Sequence, residues 1–125
     1  MGPHKNLTVW QKSMDLVRKV YQATTQYPKS ETYGLVSQMR RCVVSIPSNI
    51  AEGYGRGSNA DLVHFLYIAL GSSNEIETQI IISKDLSYID ETEATQLETL
   101  NDEVMKMLNF LIFKRTHQVP QFSQS

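Results

Sequence analysis

Few residues in this chain of 125 are of a type and spacing that could do chemistry. The densest stretch is Ser45–Ser58, "SIPSNIAEGYGRGS". Its glycines, Gly53, Gly55 and Gly57, would cradle a phosphate if a strand preceded them and a lysine or helix start followed at the right offset. "GYGRGS" has neither the G-x-G-x-x-G nor the G-x-x-x-x-G-K-[ST] spacing, and the residues before it follow a helical period. The stretch therefore reads as a corner between two helices. The glycines would end the first helix by taking positive φ. Ser58 would cap the second by accepting from a backbone N–H, with Asp61 a weaker stand-in for the Glu of a capping box. Pro47 removes the N–H that would bond the carbonyl of Val43, so a kink or local break is expected there.

The remaining candidates support no reaction. A di-metal carboxylate bundle needs Glu-x-x-His on two helices and two further glutamates. The chain offers only "DLVH", Asp61 to His64, so no metal and no cofactor is expected. Cys42 shares an apolar face with Met39, Val43 and Ile46 and reads as a small core residue. Glu75 and Glu77 point apart on one helix, because residues two apart do not face each other. Glu52 and Glu75 would make a carboxylate pair only if folding brought them together. No catalytic residue is assigned, and the expectation is a protein that is not an enzyme. Around Pro47 stand Ser45, Ser48, Asn49 and Glu52. If Asn49 and Glu52 point inward they need partners, since an unmet buried polar group costs ~1–3 kcal/mol. "GSSNE", Gly71 to Glu75, offers them, and its small residues Gly71, Ser72 and Ser73 would let two helices approach closely. Pro47, Ser48, Asn49, Glu52, Gly53, Gly71 and Ser72 are thus read as a structural motif that fixes register and corner geometry.

Net charge is −1, which argues against a generic nucleic-acid binder. The charge is unevenly placed. Residues 1–57 carry eight basic against three acidic residues, a balance of +5; residues 58–125 carry four against ten, a balance of −6. Tyr21, Tyr27, Tyr33 and Tyr54 lie near Arg18, Arg40, Arg41 and Arg56. Such residues stack on bases and clamp phosphates, and they are also favoured at protein interfaces. The plainer reading of the split is complementary helix pairing within or between subunits.

These residues need elements to hold them. The length suits one domain, 1–125, burying roughly two thirds of its unfolded surface. No apolar run approaches the ~20 residues that span a bilayer. The N-terminal ten residues lack a signal-type apolar core, and the single cysteine fits a reducing compartment, so a cytoplasmic location is expected. Apolar residues follow helical spacing in four segments. The first runs from about Thr8 to Gln26, with Trp10, Met14, Val17, Tyr21 and Thr24 as its stripe, widened by Val9, Leu16 and Val20. The second starts near Glu31 or Leu35 and carries Leu35, Met39, Cys42, Val43, Ile46 and Ile50. The third follows Gly57, with Leu62, Phe65, Leu66, Ala69, Ser73, Ile76 and Ile80. The fourth follows "YIDETEA", with Leu97, Leu100, Val104, Leu108 and Leu111. The architecture expected is all-α, an antiparallel up-down four-helix bundle, with residues 1–5 and 117–125 loosely ordered. Tyr67, Leu70 and Ile81 lie off the third stripe, where helices of other subunits would cover them.

"LTVWQKSMDLVRKVY", "YGLVSQMRRCVVSIPSNIAEGYGR" and "HFLYIALGSSNEIETQI" together resemble the bacterial four-helix-bundle family encoded by intervening sequences in 23S ribosomal RNA genes. That family is similar to the accessory proteins of diversity-generating retroelements. The match runs from about Lys5 to Lys114, and its core is Ser45 to Gly53 with Arg56 and then Gly71-Ser72. The resemblance implies a ring-shaped homopentamer without enzymatic activity. It also implies partners among ribosomal RNA or a reverse-transcriptase-type protein, met by a basic surface. Carried over, the nucleic-acid contacts would be Arg40, Arg41 and Arg56, with Lys12, Arg18 and Lys19 from the first helix. The alternative is a protein-interaction adaptor or scaffold that never touches nucleic acid.

Overall fold

The structure is a computed structural model and describes residues 2–117. Four helices carry it: α1 (Thr8–Thr24), α2 (Ser37–Gly55), α3 (Asn59–Asp85) and α4 (Glu91–Thr116). A 3-10 turn, Pro3–Asn6, precedes α1. A second, Lys29–Glu31, and a π turn, Thr32–Val36, lead into α2. Among the described residues there is no strand. Successive helices pack on one another and α1 closes against α4, which leaves α1 and α3 on a diagonal. This is the expected four-helix bundle. Where a loose N-terminal end was expected, Pro3–Asn6 forms a turn whose His4 meets Trp10 edge-on at 5.2 Å between ring centres. Of the 117–125 tail only His117 is described; the rest lies outside the described residues.

Side-chain caps set the helix ends. Ser58 Oγ accepts from Asp61 N at 3.1 Å, as the corner reading requires. The full capping box stands elsewhere: Asp90 Oδ1 accepts from Glu93 N at 2.8 Å, and Glu93 Oε1 accepts from Asp90 N at 3.3 Å. That box starts α4 inside "YIDETEA" and not after it. At the same end of the bundle Glu31 joins two connections. Its carboxylate accepts from Leu35 N at 3.2 Å and from the Tyr88 hydroxyl at 2.8 Å. The hydrogen bond to Glu31 raises the Tyr88 pKa, because ionising the phenol would remove the donor and set two anions together.

Two backbone expectations are corrected. No glycine among the described residues takes positive φ; Ser87, in the α3–α4 turn, does. The α2–α3 corner is made with extended backbone at Arg56 and Ser58. Pro47 does not break α2, which stays helical from Ser37 through Gly55 with the proline buried inside it. Val43, Ile46 and Ile50 are fully buried on the adjoining turns, and their packing holds the helix across the lost hydrogen bond.

The core is Leu16 and Val20 from α1, Met39, Val43, Ile46 and Ile50 from α2, Leu66, Ile76 and Ile80 from α3, and Val104 and Leu108 from α4. The stripes of α2 and α3 fall close to where the sequence puts them. Those of α1 and α4 are rotated. On α1 the buried positions are Val9, Ser13, Leu16, Val20 and Thr24, while Trp10, Met14 and Val17 are half-buried and Tyr21 is exposed. On α4 the buried row is Ala94, Leu97, Asn101, Val104, Leu108 and Ile112, which leaves Leu100 and Leu111 half-buried. On α3, Tyr67 and Ile81 face solvent as expected, whereas Leu70 packs against the core.

Candidate functional site

The polar motif around Pro47 closes the α2–α3 seam. Ser45 Oγ and Ser72 Oγ share a hydrogen bond of 2.8 Å. Cys42 Sγ donates to the Ser72 carbonyl at 3.1 Å, and Asn49 Nδ2 donates to the carbonyl and hydroxyl of Ser45 at 2.8 and 2.9 Å. The "GSSNE" segment therefore supplies partners, with Asn49 reached through Ser45. Burial, helped by the nearby Glu75 charge, pushes the Cys42 thiol up to about 12, so it is protonated at neutral pH. Gly53 is required by close approach: a Cβ there would stand 3.0 Å from Phe65 Cβ and 3.1 Å from Leu62 Cδ1. Behind this seam Ser73 Oγ donates to Asn101 Oδ1 at 2.7 Å, and Asn101 Nδ2 donates to the Ser73 carbonyl at 3.1 Å, both buried.

Two motif members sit differently from expectation. Glu52 is exposed and does not point inward: it accepts from Arg56 Nε at 2.9 Å, and the Arg56 guanidinium lies 4.9 Å from the centre of the Phe65 ring. A carboxylate with an arginine one turn away gains more by pairing in water than by shedding its hydration. Glu75 instead accepts from Gln79 at 3.3 Å, in a cleft with Arg41, so the Glu52–Glu75 pair does not form. Gly71 is exposed, with nothing within 4 Å of a Cβ built there, so it permits no helix approach inside this chain; Ser72 and Ser73 make the contacts. Ser48 is exposed beside Pro47 on the opposite side of α2.

The six basic residues are spread over several seams. Lys12 Nζ is 2.6 Å from Glu103 Oε2, toward α4, and Lys19 stands in a cleft with Glu93 and Gln96, also toward α4. Arg18 pairs with Asp15 at 2.6 Å on the outside of α1, a hydrogen bond that lowers the Asp15 pKa. Arg40 lies in the α1–α2 seam. Its Nε donates to Thr24 Oγ1 at 2.9 Å, its Nη2 to the Tyr21 carbonyl at 3.2 Å, and its guanidinium stacks 4.6 Å from the centre of the Tyr21 ring. Arg41, the next residue, faces α3 beside Ser72 and Glu75. Arg56 is at the corner. Lys19 and Arg41 make no hydrogen bond or ion pair among the described residues, and Arg40 has no carboxylate partner.

One concavity is mostly apolar. A groove of about 360 Å³ runs between α1 and α2, lined by Trp10, Met14, Val17, Val44, Pro47 and Ala51. Its α1 wall is the very row the sequence assigned to the core. Among the described residues no three His, Cys, Asp or Glu side chains gather as a metal site, and His64, exposed, stacks edge-on to Phe65. The groups with displaced pKa values, Asp15, Tyr27, Cys42 and Tyr88, are each accounted for by burial or a single neighbour.

A family model described as 23S rRNA-intervening sequence protein matches residues 5–110, which takes in α1 to α3 and most of α4. The chain belongs to that family. It is also similar to a solved structure of a protein of unknown function from the S23 ribosomal protein family of Bacteroides thetaiotaomicron, at 25% identity and a TM-score of 0.76. The likeness covers 84% of this chain and 98% of the other. No curated protein matches.

In this 23S rRNA-intervening sequence protein, the "SIPSNIAEGYGR" segment is thus mainly a packing device for α2 against α3. Sequence reasoning missed the Ser73–Asn101 pair, although Asn101 falls four residues after Leu97 and three before Val104, in register with the α4 core row. It also missed the bond from Arg40 to Thr24. The two are 16 residues apart and meet only because α1 and α2 are antiparallel. Among the described residues no helix is long and apolar enough to cross a membrane.

Proposed function

We propose that the protein acts as a non-enzymatic, self-associating bundle whose function lies in its surfaces. The observation that carries this reading is apolar surface on two sides of a well-packed chain: the α1–α2 groove, and Tyr67, Ile68, Ile82 and Leu86 along α3. Exposed apolar residues gathered on a surface mark interaction sites in proteins with a complete core. The test is sedimentation across a concentration series. The expected result is an assembly of several 14.3 kDa chains. A single-chain mass at every concentration overturns the reading.

A second reading, contact with the phosphates of RNA, is favoured by Lys19, Arg40 and Arg41, which keep their charge free of carboxylate partners. It requires affinity for RNA that falls steeply with added salt. It also requires weakening by Arg40→Ala with Arg41→Ala. The scattering of the basic residues over separate seams places this reading second; absence of RNA binding at low salt removes it and leaves an adaptor that contacts protein alone.

A further inference from the structure

The α2–α3 seam closes on small groups and opens on charged ones. Cys42, Ser45 and Ser72 satisfy one another: the two serine hydroxyls share a hydrogen bond of 2.8 Å, and Cys42 Sγ donates to the Ser72 carbonyl at 3.1 Å. These three also line a cleft of about 240 Å³, with Gln38 and Arg41 on its α2 side and Glu75 on its α3 side. Arg41 and Glu75 are exposed and border the same space, yet they do not stand at ion-pair distance.

The unmet groups on the two walls are of opposite kind. The Arg41 guanidinium carries five N–H donors and makes no hydrogen bond among the described residues. Glu75 accepts from Gln79 Nε2 at 3.3 Å, which leaves its second oxygen free. Gln79, one turn further along α3, is only 5% exposed, and its own carbonyl oxygen is buried without a donor. Turning that amide over would set its oxygen against the Glu75 carboxylate, so the unmet acceptor is not an accident of orientation. The α2 wall thus offers donors that lack an acceptor, and the α3 wall offers acceptors that lack a donor.

We propose that this cleft binds a small zwitterion of the free α-amino acid class, its carboxylate in the fork of Arg41 and its ammonium on Glu75, beside the Gln79 amide. A guanidinium matches a carboxylate with two parallel hydrogen bonds. An ammonium carries three donors, enough for Glu75 and for the Gln79 carbonyl next to it. A simple anion would meet the charge of Glu75, and a simple cation that of Arg41; a ligand with both charges meets neither. The competing state is a direct Arg41–Glu75 ion pair, and at an exposed site such a pair contributes little against a ligand that bridges both. Cys42, Ser45 and Ser72 leave room for a small side chain, so glycine, alanine and serine are the fitting members. The site goes beyond self-association: a ligand there ties α2 to α3 and leaves the α1–α2 groove untouched.

The experiment follows thermal melting of the full chain at one protein concentration while L-serine is titrated, because a ligand that binds only the folded state raises the melting temperature. Acetate and methylammonium, each alone, carry the separate charges. The expected result is a saturable rise with L-serine and none with either half. Arg41→Gln and Glu75→Gln, checked for folding by circular dichroism, are each expected to abolish the rise. If either does not fold, Arg41→Lys keeps the charge without the fork, or Glu75→Asp keeps it with a shorter reach, and at least about tenfold weaker binding is expected. No rise with serine, alanine or glycine overturns the proposal. An equal rise with acetate or with methylammonium also overturns it, since one charge would then suffice. So does a rise that survives in both variants, which would place the ligand elsewhere.

Discussion

The seams on either side of α3 and the outer side of α1 and α2 are built from similar residues and finished differently. Along α3's seams several small and polar residues have a specific neighbour. Gly53 lies under Phe65 and Leu62, Ser72 is bonded by Ser45 and Cys42, and Ser73 exchanges two hydrogen bonds with Asn101. Between α1 and α2, Trp10, Met14, Val17 and Val44 border an open groove of about 360 Å³. What separates them is the presence of residues that tolerate only one neighbour: a glycine with no room for a methyl group, or an amide that must find both a donor and an acceptor. Those residues specify the core; apolar residues alone only permit it.

The largest expected effect tests whether the α2–α3 seam is closed in solution. With its pKa raised to about 12, Cys42 exposes little thiolate at pH 8. An aromatic disulfide reagent should therefore react about a thousandfold more slowly with the native protein than with the chain in denaturant, before any loss of access is counted. The sign follows from the displaced pKa. The contrast is full below the ordinary thiol range, shrinks as pH rises through it, and vanishes near 12 if the fold survives. Equal rates at pH 8 would mean that the seam opens. Next in size is Asn101→Ala, which leaves both the hydroxyl and the carbonyl of Ser73 without their partner and opens a void. A loss of about 3 kcal/mol in urea unfolding is expected, against under about 1 kcal/mol for Val44→Ala in the groove. Similar losses at the two positions would erase the distinction between the seams.

Helix number, type and most ends were legible in the sequence because they rest on local signals: apolar period, the serine cap at Ser58, and proline at position 28. The phase of α1 was not, since two apolar stripes lie side by side and periodicity cannot say which one the other helices will cover. The α4 row was misread at Leu100 and Leu111 because the true register passes through Asn101, a polar residue that an apolar template skips. The basic set was legible as residues but not as a surface. Arg40 and Arg41 are neighbours in sequence, yet a helix turns about 100° between them. One therefore meets α1 and the other α3. The expected positive φ at Gly53 failed for a related reason. A glycine can serve conformation or proximity, and the sequence does not say which.

That ambiguity yields the smallest and most discriminating test, because one substitution at two glycines should act with opposite sign. Gly53→Ala places a Cβ 3.0 Å from Phe65 Cβ and 3.4 Å from the Leu62 carbonyl. Backbone and the root of a side chain cannot swing aside, so a loss of about 2 kcal/mol is expected. Gly71→Ala meets nothing within 4 Å and removes a flexible residue from the middle of α3, so a gain of up to about 1 kcal/mol is expected. Both are read from urea unfolding at a dilution where the natural protein is a single chain, because association would otherwise add its own concentration-dependent term. A gain at Gly71 would show that the single chain keeps this glycine against its own stability, and the reason for it must then lie outside the fold of one copy. A loss there would mean that α3 needs the glycine internally, and the division between a finished seam and an open face would no longer hold at that position.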